Sequence, residues 1–117
     1  MNKRSLGNKK ERIAAKYLEE LGCEILELNY YTVRGEVDIV YKDGEYYVFG
    51  EVKYRRDISM GYPAEAVNYK KQRHIVYGAL YYLKTKGLGD DVNIRFDVIS
   101  ILKDEIILYK NAFEPVI

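Results

Sequence analysis

The chain is expected to fold as an α/β protein with a mixed sheet in the order α-β-β-β-α-β-β. Three observations predict this. Two runs rich in β-branched and aromatic residues flank Asp43-Gly44, a dipeptide suited to a tight hairpin. Helical periodicity marks residues 8–21 and a long stretch after Gly61-Tyr62-Pro63. That second helix lies between the third and fourth strands, which implies a right-handed crossover to a parallel neighbour.

In chain order, the first helix carries Ala14, Ala15, Leu18 and Leu21 on one side and Arg12, Lys16, Glu19 and Glu20 on the other, and Gly22 ends it. Residues 23–30 form a first strand, and the hairpin supplies the second and third. Pro63 suits a first helical position, so a helix is expected from there to about Lys86, ended by Gly87 and Gly89. Two further strands, 92–102 and 105–110, flank Lys103-Asp104.

A length of 117 residues fits one domain, 1–117, with a core that needs no disulfide or structural metal. The single cysteine, Cys23, rules out an internal disulfide framework and reads as a small buried hydrophobe. The basic start has no apolar region after it, so it is not a secretory signal, and no apolar run reaches membrane-spanning length. A soluble, cytoplasmic protein with no membrane partner is expected. The net charge of +1 is uninformative. Basic residues nevertheless bunch at Lys9, Lys10, Arg12 and Lys16, at Lys53, Arg55 and Arg56, and at Lys70, Lys71 and Arg73. Each bunch fits a phosphate-binding surface or an ordinary solvated face. The 13 tyrosines mostly fall in strand or helix patterns, where they pack a core or its rim rather than stack on bases.

The hairpin carries the chemistry. A two-residue turn at Asp43-Gly44 sets Asp38 opposite Phe49 and Glu36 opposite Glu51, and period-two alternation then puts Asp38, Glu51 and Lys53 on one face. A four-residue loop preserves this arrangement; a three-residue loop sends Asp38 to the other face. Val37, Ile39, Tyr41, Tyr46, Val48 and Val52 make the opposite face apolar. The charged face is itself apolar near the turn (Val40, Tyr47, Phe49), so cover on both sides is expected, with the charges at its border. Two carboxylates and an ammonium so placed can hold a divalent cation beside a phosphate. They can equally form a hydrated charged end in which Lys53 bridges Glu51.

Glu11 lies beside the first helix's apolar stripe and either points toward the hairpin's charged end or closes a capping box with Asn8. Lys71 and Gln72 either contact phosphate or orient a water, or belong to a solvated basic face. His74 has no Cys or His partner for a zinc site and reads as partly exposed and structural.

Gly35-Glu36-Val37-Asp38 followed by Val48-Phe49-Gly50-Glu51-Val52-Lys53-Tyr54-Arg55 resembles the signature of the uncharacterised YraN-like family, also called UPF0102. The likeness extends over Glu11, Ala14 to Leu18, Asn29, Gly61-x-Pro63, Glu65-Ala66-Val67, Lys71-Gln72, Ala79-x-x-Tyr82-Leu83 and Arg95 to Val98. Lys10, Gly50 and Tyr31 depart from the usual pattern, the last weakening any detailed map of DNA contacts. The resemblance implies a PD-(D/E)XK, restriction-endonuclease-like domain, distantly like Holliday junction resolvases. It further implies Asp38, Glu51 and Glu11 as ligands of Mg²⁺ or Mn²⁺, Lys53 as the superfamily's catalytic lysine, Arg55, Lys71 and Gln72 as nucleic-acid contacts, and DNA, branched or damaged, as the partner. Cleaving a duplex or junction needs two active sites, which fits a homodimer, although no segment identifies an interface. A non-catalytic nucleic-acid-binding module and a protein-interaction subunit are the alternatives.

Overall fold

The computed structural model describes residues 9–55, 67–89 and 91–115. Among these residues the elements are α1 (Lys9–Glu20), β1 (Glu24–Tyr31), β2 (Glu36–Asp43), β3 (Tyr46–Arg55), α2 (Tyr69–Thr85), β4 (Asn93–Leu102) and β5 (Glu105–Tyr109). The strands form one sheet ordered β1-β2-β3-β4-β5. The β3–β4 pair, joined through α2, is parallel, and the other three pairs are antiparallel. The expected α/β class, mixed sheet and element order are all present.

Among the described residues, each face of the sheet carries one helix. Ala14 and Leu18, four residues apart on α1, are fully buried and pack with Ala15 against Ile39, Tyr41, Val48, Val52, Ile99 and Ile101. On the other face Ile75, Val76, Ala79 and Tyr82 of α2 pack against Val40, Phe49, Phe96 and Val98. Fully burying each large side chain in these clusters contributes about 1.5–3 kcal/mol. Leu21, expected on the stripe of α1, is 55% exposed. The helix ends at Glu20, and Gly22 turns the chain at φ +95°, so helical spacing no longer decides where Leu21 points.

Three other expectations are corrected. The hairpin turns at Gly44-Glu45, with Asp43 paired to Tyr46 and Val40 to Phe49. Asp38 is therefore not opposite Phe49, nor Glu36 opposite Glu51; Glu36 pairs with Tyr31 of β1 instead. The turn places Gly at its first central position, at φ +61°, a two-residue hairpin geometry that favours glycine there. Because the register moves by two residues, the side chains of the paired residues keep their faces.

Val37 does not join Ile39 and Tyr41 but packs in the α2 cluster, since the β2–β3 pairing stops at Ile39–Gly50 and alternation breaks around Asp38. The second helix begins at Tyr69, not Pro63. Asn68, extended at ψ 169°, caps it by accepting the Lys71 amide at 2.9 Å, and the Gly61-Tyr62-Pro63 segment lies outside the described residues.

A buried polar network ties the hairpin's turn end to β4. Asp97, fully buried, accepts from the Tyr41 hydroxyl, from Arg95 Nε at 2.9 Å and Nη2 at 2.8 Å, and from the Asn111 amide at 2.8 Å. Arg95 Nη2 also reaches Asp43 Oδ2 at 2.8 Å. The segment after β5 is fastened in the same place: the Ala112 amide donates to the Phe96 carbonyl at 2.7 Å, and Phe113 stacks on Phe96.

Arg95→Met should leave the buried Asp97 carboxylate without its cation and cost about 3–5 kcal/mol in urea unfolding. Gly35 fits against α2 for lack of a side chain, because a Cβ there would lie 2.1 Å from the His74 carbonyl oxygen. Gly35→Ala should accordingly lower stability by about 1–3 kcal/mol in the same measurement.

Candidate functional site

The charged end of the hairpin lies where β2 and β3 part. Beyond Ile39–Gly50 no further pairs join these strands, and the Asp38 carboxylate enters the gap, where Oδ2 accepts the Val52 amide at 2.9 Å. A side chain here takes the place of a main-chain carbonyl. The bond holds Asp38 against β3 and faces it toward Glu51, the residue before Val52.

Glu51 is buried, 4% exposed, although a glutamate in a strand ordinarily reaches water. Its cations are near but not in hydrogen-bond contact: Lys53 Nζ lies 3.6 Å from Oε2 and Lys71 Nζ 3.8 Å from Oε1. Burial and then the facing Asp38 carboxylate push Glu51 up to about 8, against the lowering pull of Lys71 and Lys53. Lys53 does bridge Glu51, as the bland reading of the sequence has it, but the carboxylate it meets is not a hydrated one.

Glu11 arrives from α1 and is 1% exposed. Burial first, and Asp38 second, raise its pKa, while the adjacent Lys10, 3.8 Å from Oε2, lowers it in part. Of the two readings of Glu11, the side chain takes the inward one; Asn8, its partner in a capping box, lies outside the described residues. Asn29 of β1 stands beside Glu11 and also lowers its pKa, yet the contact stops short of a full hydrogen bond. Among the described residues, Asn29 Nδ2, Glu11 Oε1 and Glu51 Oε1 each lack a hydrogen-bond partner. Buried carboxylate oxygens without hydrogen-bond partners are costly to a fold.

Lys71 is the residue of α2 that reaches the corner. Its Nζ meets Glu36 Oε1 at 3.2 Å as well as Glu51. Burial pulls its ammonium down, but Glu51, Asp38 and Glu36 together outweigh burial and its pKa is raised. Gln72 is turned elsewhere: its Nε2 donates to the Val67 carbonyl at 2.8 Å, just before the helix. The Arg55 side chain lies outside the described residues.

The structure thus gathers Glu11, Asp38, Glu51, Lys53 and Lys71, and adds three residues the sequence did not single out for the site. Lys10 donates to the Val52 carbonyl at 3.2 Å, pinning α1 to β3. Glu36 anchors Lys71. Asn29 adopts φ +52° within β1, a left-handed conformation that Asn tolerates better than most residues, and its place in the family pattern was the signal that could have found it.

The carboxylates of Asp38 and Glu51, the latter with Oε1 unpartnered, suit a small divalent cation, which needs only one or two carboxylates besides water and phosphate. No group of three or more His, Cys, Asp or Glu side chains among the described residues is arranged to hold a metal ion. The fit is therefore to the Asp38–Glu51 pair.

Residues 10–101 match the uncharacterised protein family UPF0102. A UPF0102 protein of Lachnoclostridium phytofermentans is 48% identical over 114 residues, covering 97% of each chain. One from Caldicellulosiruptor saccharolyticus is 43% identical over 119 residues, covering 97% of this chain and all of its own. One from Syntrophus aciditrophicus is 50% identical over 108 residues, 89% of this chain and 84% of its own. The chain belongs to the UPF0102 family. No helix of the described residues is long and apolar enough to cross a membrane.

The raised Glu51 pKa has a testable sign. Between the ordinary 4.5 and about 8, the folded protein holds a proton that the unfolded chain releases, so stability falls as pH rises through that window. In a chelator, Glu51→Gln should remove the Glu51 share of this slope and leave the smaller part that the raised Glu11 contributes. Its urea midpoint should exceed the wild type's at about pH 9 and converge on it at about pH 5.

Proposed function

We propose that this protein is a metal-dependent endonuclease that hydrolyses DNA phosphodiester bonds, built as a PD-(D/E)XK-type domain. The observation that carries the reading is the convergence of Glu11 and Glu51, each buried with an unpartnered oxygen, on Asp38. Like charges held together out of water destabilise a fold that gains nothing from them. A hard cation relieves that repulsion.

Asp38 and Glu51 would hold Mg²⁺ or Mn²⁺, with Glu11 holding the ion or its water from the α1 side. When bound, the ion supplies Lewis-acid polarisation of a phosphoryl oxygen and a more acidic water. Asp38, fixed by the Val52 amide, gives the pair its geometry without relying on the metal. Lys53, a third exposed along its side chain, is free enough to leave Glu51 for an incoming phosphate, orient the attacking water and offset charge on pentavalent phosphorus. Lys71, held by Glu36, offers a second cation at the same edge. In-line attack would break the P–O3′ bond and leave 5′-phosphate and 3′-hydroxyl ends. Cutting both strands of a duplex or junction would call for a second copy of the chain.

A binding module without catalysis fits less well, because buried carboxylates beside a phosphate repel it. Cleavage of linear, branched and damaged DNA with added Mg²⁺ or Mn²⁺ tests the choice. Asp38→Ala and Glu51→Ala should each reduce cleavage by at least about a hundredfold, in line with the loss of electrostatic stabilisation of the reacting phosphate, while both variants remain folded. Activity that survives both substitutions comes from a contaminating nuclease and refutes the reading. Metal should also raise the Tm of the wild type and not of Asp38→Ala.

A further inference from the structure

Beside the carboxylate corner, α2 carries a second feature. Lys70, Arg73, His74 and Tyr77 recur at helical spacing along one stripe and line an open cleft of about 430 Å³. No carboxylate among the described residues lines it. Among the described residues, neither Lys70 nor Arg73 forms an ion pair, and the Tyr77 hydroxyl steadies Arg73 Nη2 at 3.4 Å. Their neighbour Lys71, one position round the helix, is by contrast ion-paired with Glu36 and Glu51.

The β1–β2 connection lies against the same part of α2. Gly35 abuts the His74 backbone, and Thr32 Oγ1 accepts the Arg34 amide at 3.0 Å and the Gly35 amide at 2.9 Å, which sets the loop and leaves Arg34 exposed next to α2. Three cations with no counter-ion among the described residues, on a rigid helix and a pinned loop, form a local positive surface on a chain whose net charge is only +1.

We propose that this ledge binds the sugar-phosphate backbone of double-stranded DNA, away from the bond to be cut. The inference rests on the nuclease reading for its choice of ligand, but not on catalysis. Phosphates would be met by Lys70, Arg73 and Arg34, and the carboxylate corner one step round the helix would face a neighbouring phosphate. Contacts of this kind fix the register of a duplex and carry no sequence information.

Fluorescence anisotropy with a labelled 20-base-pair DNA duplex in EDTA tests the ledge, with the salt concentration varied. The double variant Lys70→Ala/Arg73→Ala should bind about tenfold or more weakly than wild type, with a log–log salt slope shallower by about two. Lys70→Arg/Arg73→Lys, which keeps both charges, should restore most of the binding. Asp38→Ala should bind at least as well as wild type. Unchanged affinity and slope in the alanine double variant, or no duplex binding by wild type, would overturn the ledge. Binding lost in the double variant while cleavage proves indifferent to Asp38 would uphold the ledge and sink the nuclease reading instead.

Discussion

The Asp38 carboxylate receives a main-chain amide that an intact β2–β3 ladder would have given to a carbonyl, and the surrounding site follows from that substitution. With the strands parted, the end of β2 turns Val37 toward α2 and brings Glu36 within reach of Lys71. Glu51, one residue before the amide that Asp38 accepts, is left facing a fixed negative charge. Glu11 enters from the other helix and meets the same carboxylate. The arrangement opposes what an isolated fold would select, since it desolvates acids while keeping Lys53 and Lys71 at 3.6–3.8 Å from Glu51 rather than at bonding distance.

The turn end of the sheet makes the opposite choice. There the buried acid Asp97 is saturated by Tyr41, Arg95 and the Asn111 amide, and Arg95 extends the network to Asp43. Buried ionic groups of this quality define one packing and leave nothing for a ligand. The same five-stranded sheet therefore holds a satisfied polar cluster at one end of the hairpin and an unsatisfied one at the other. That contrast, more than the presence of carboxylates, separates a structural site from a candidate reactive one.

Much of this was legible in the residues. The shared face of Asp38, Glu51 and Lys53 follows from parity, and an error of two in the hairpin register leaves parity intact. The element order came from periodicity and from the crossover rule. What could not be read depends on geometry that no local pattern encodes. Period-two alternation assigns Val37 to the face of Ile39, and nothing in the string signals that the strands separate between them. The direction of Glu11 depends on where α1 lands on the sheet. Gln72 stood one position from Lys71 yet is drawn to the Val67 carbonyl, a consequence of the helix beginning at Tyr69. Pro63 offered a helix start that pattern alone preferred, whereas the cap the helix uses is Asn68.

The fastening of residues 111–113 bears on how the protein is made. Asp97 is sealed in the middle of the sheet, but one of its donors is the amide of Asn111, and the Phe96 carbonyl and ring wait for Ala112 and Phe113. β3 likewise has no parallel partner until β4 has been synthesised. A nascent chain leaving the ribosome can form α1 and the first hairpin early. Its interior cannot close until the segment after β5 has emerged, so folding during translation should be a late, concerted event.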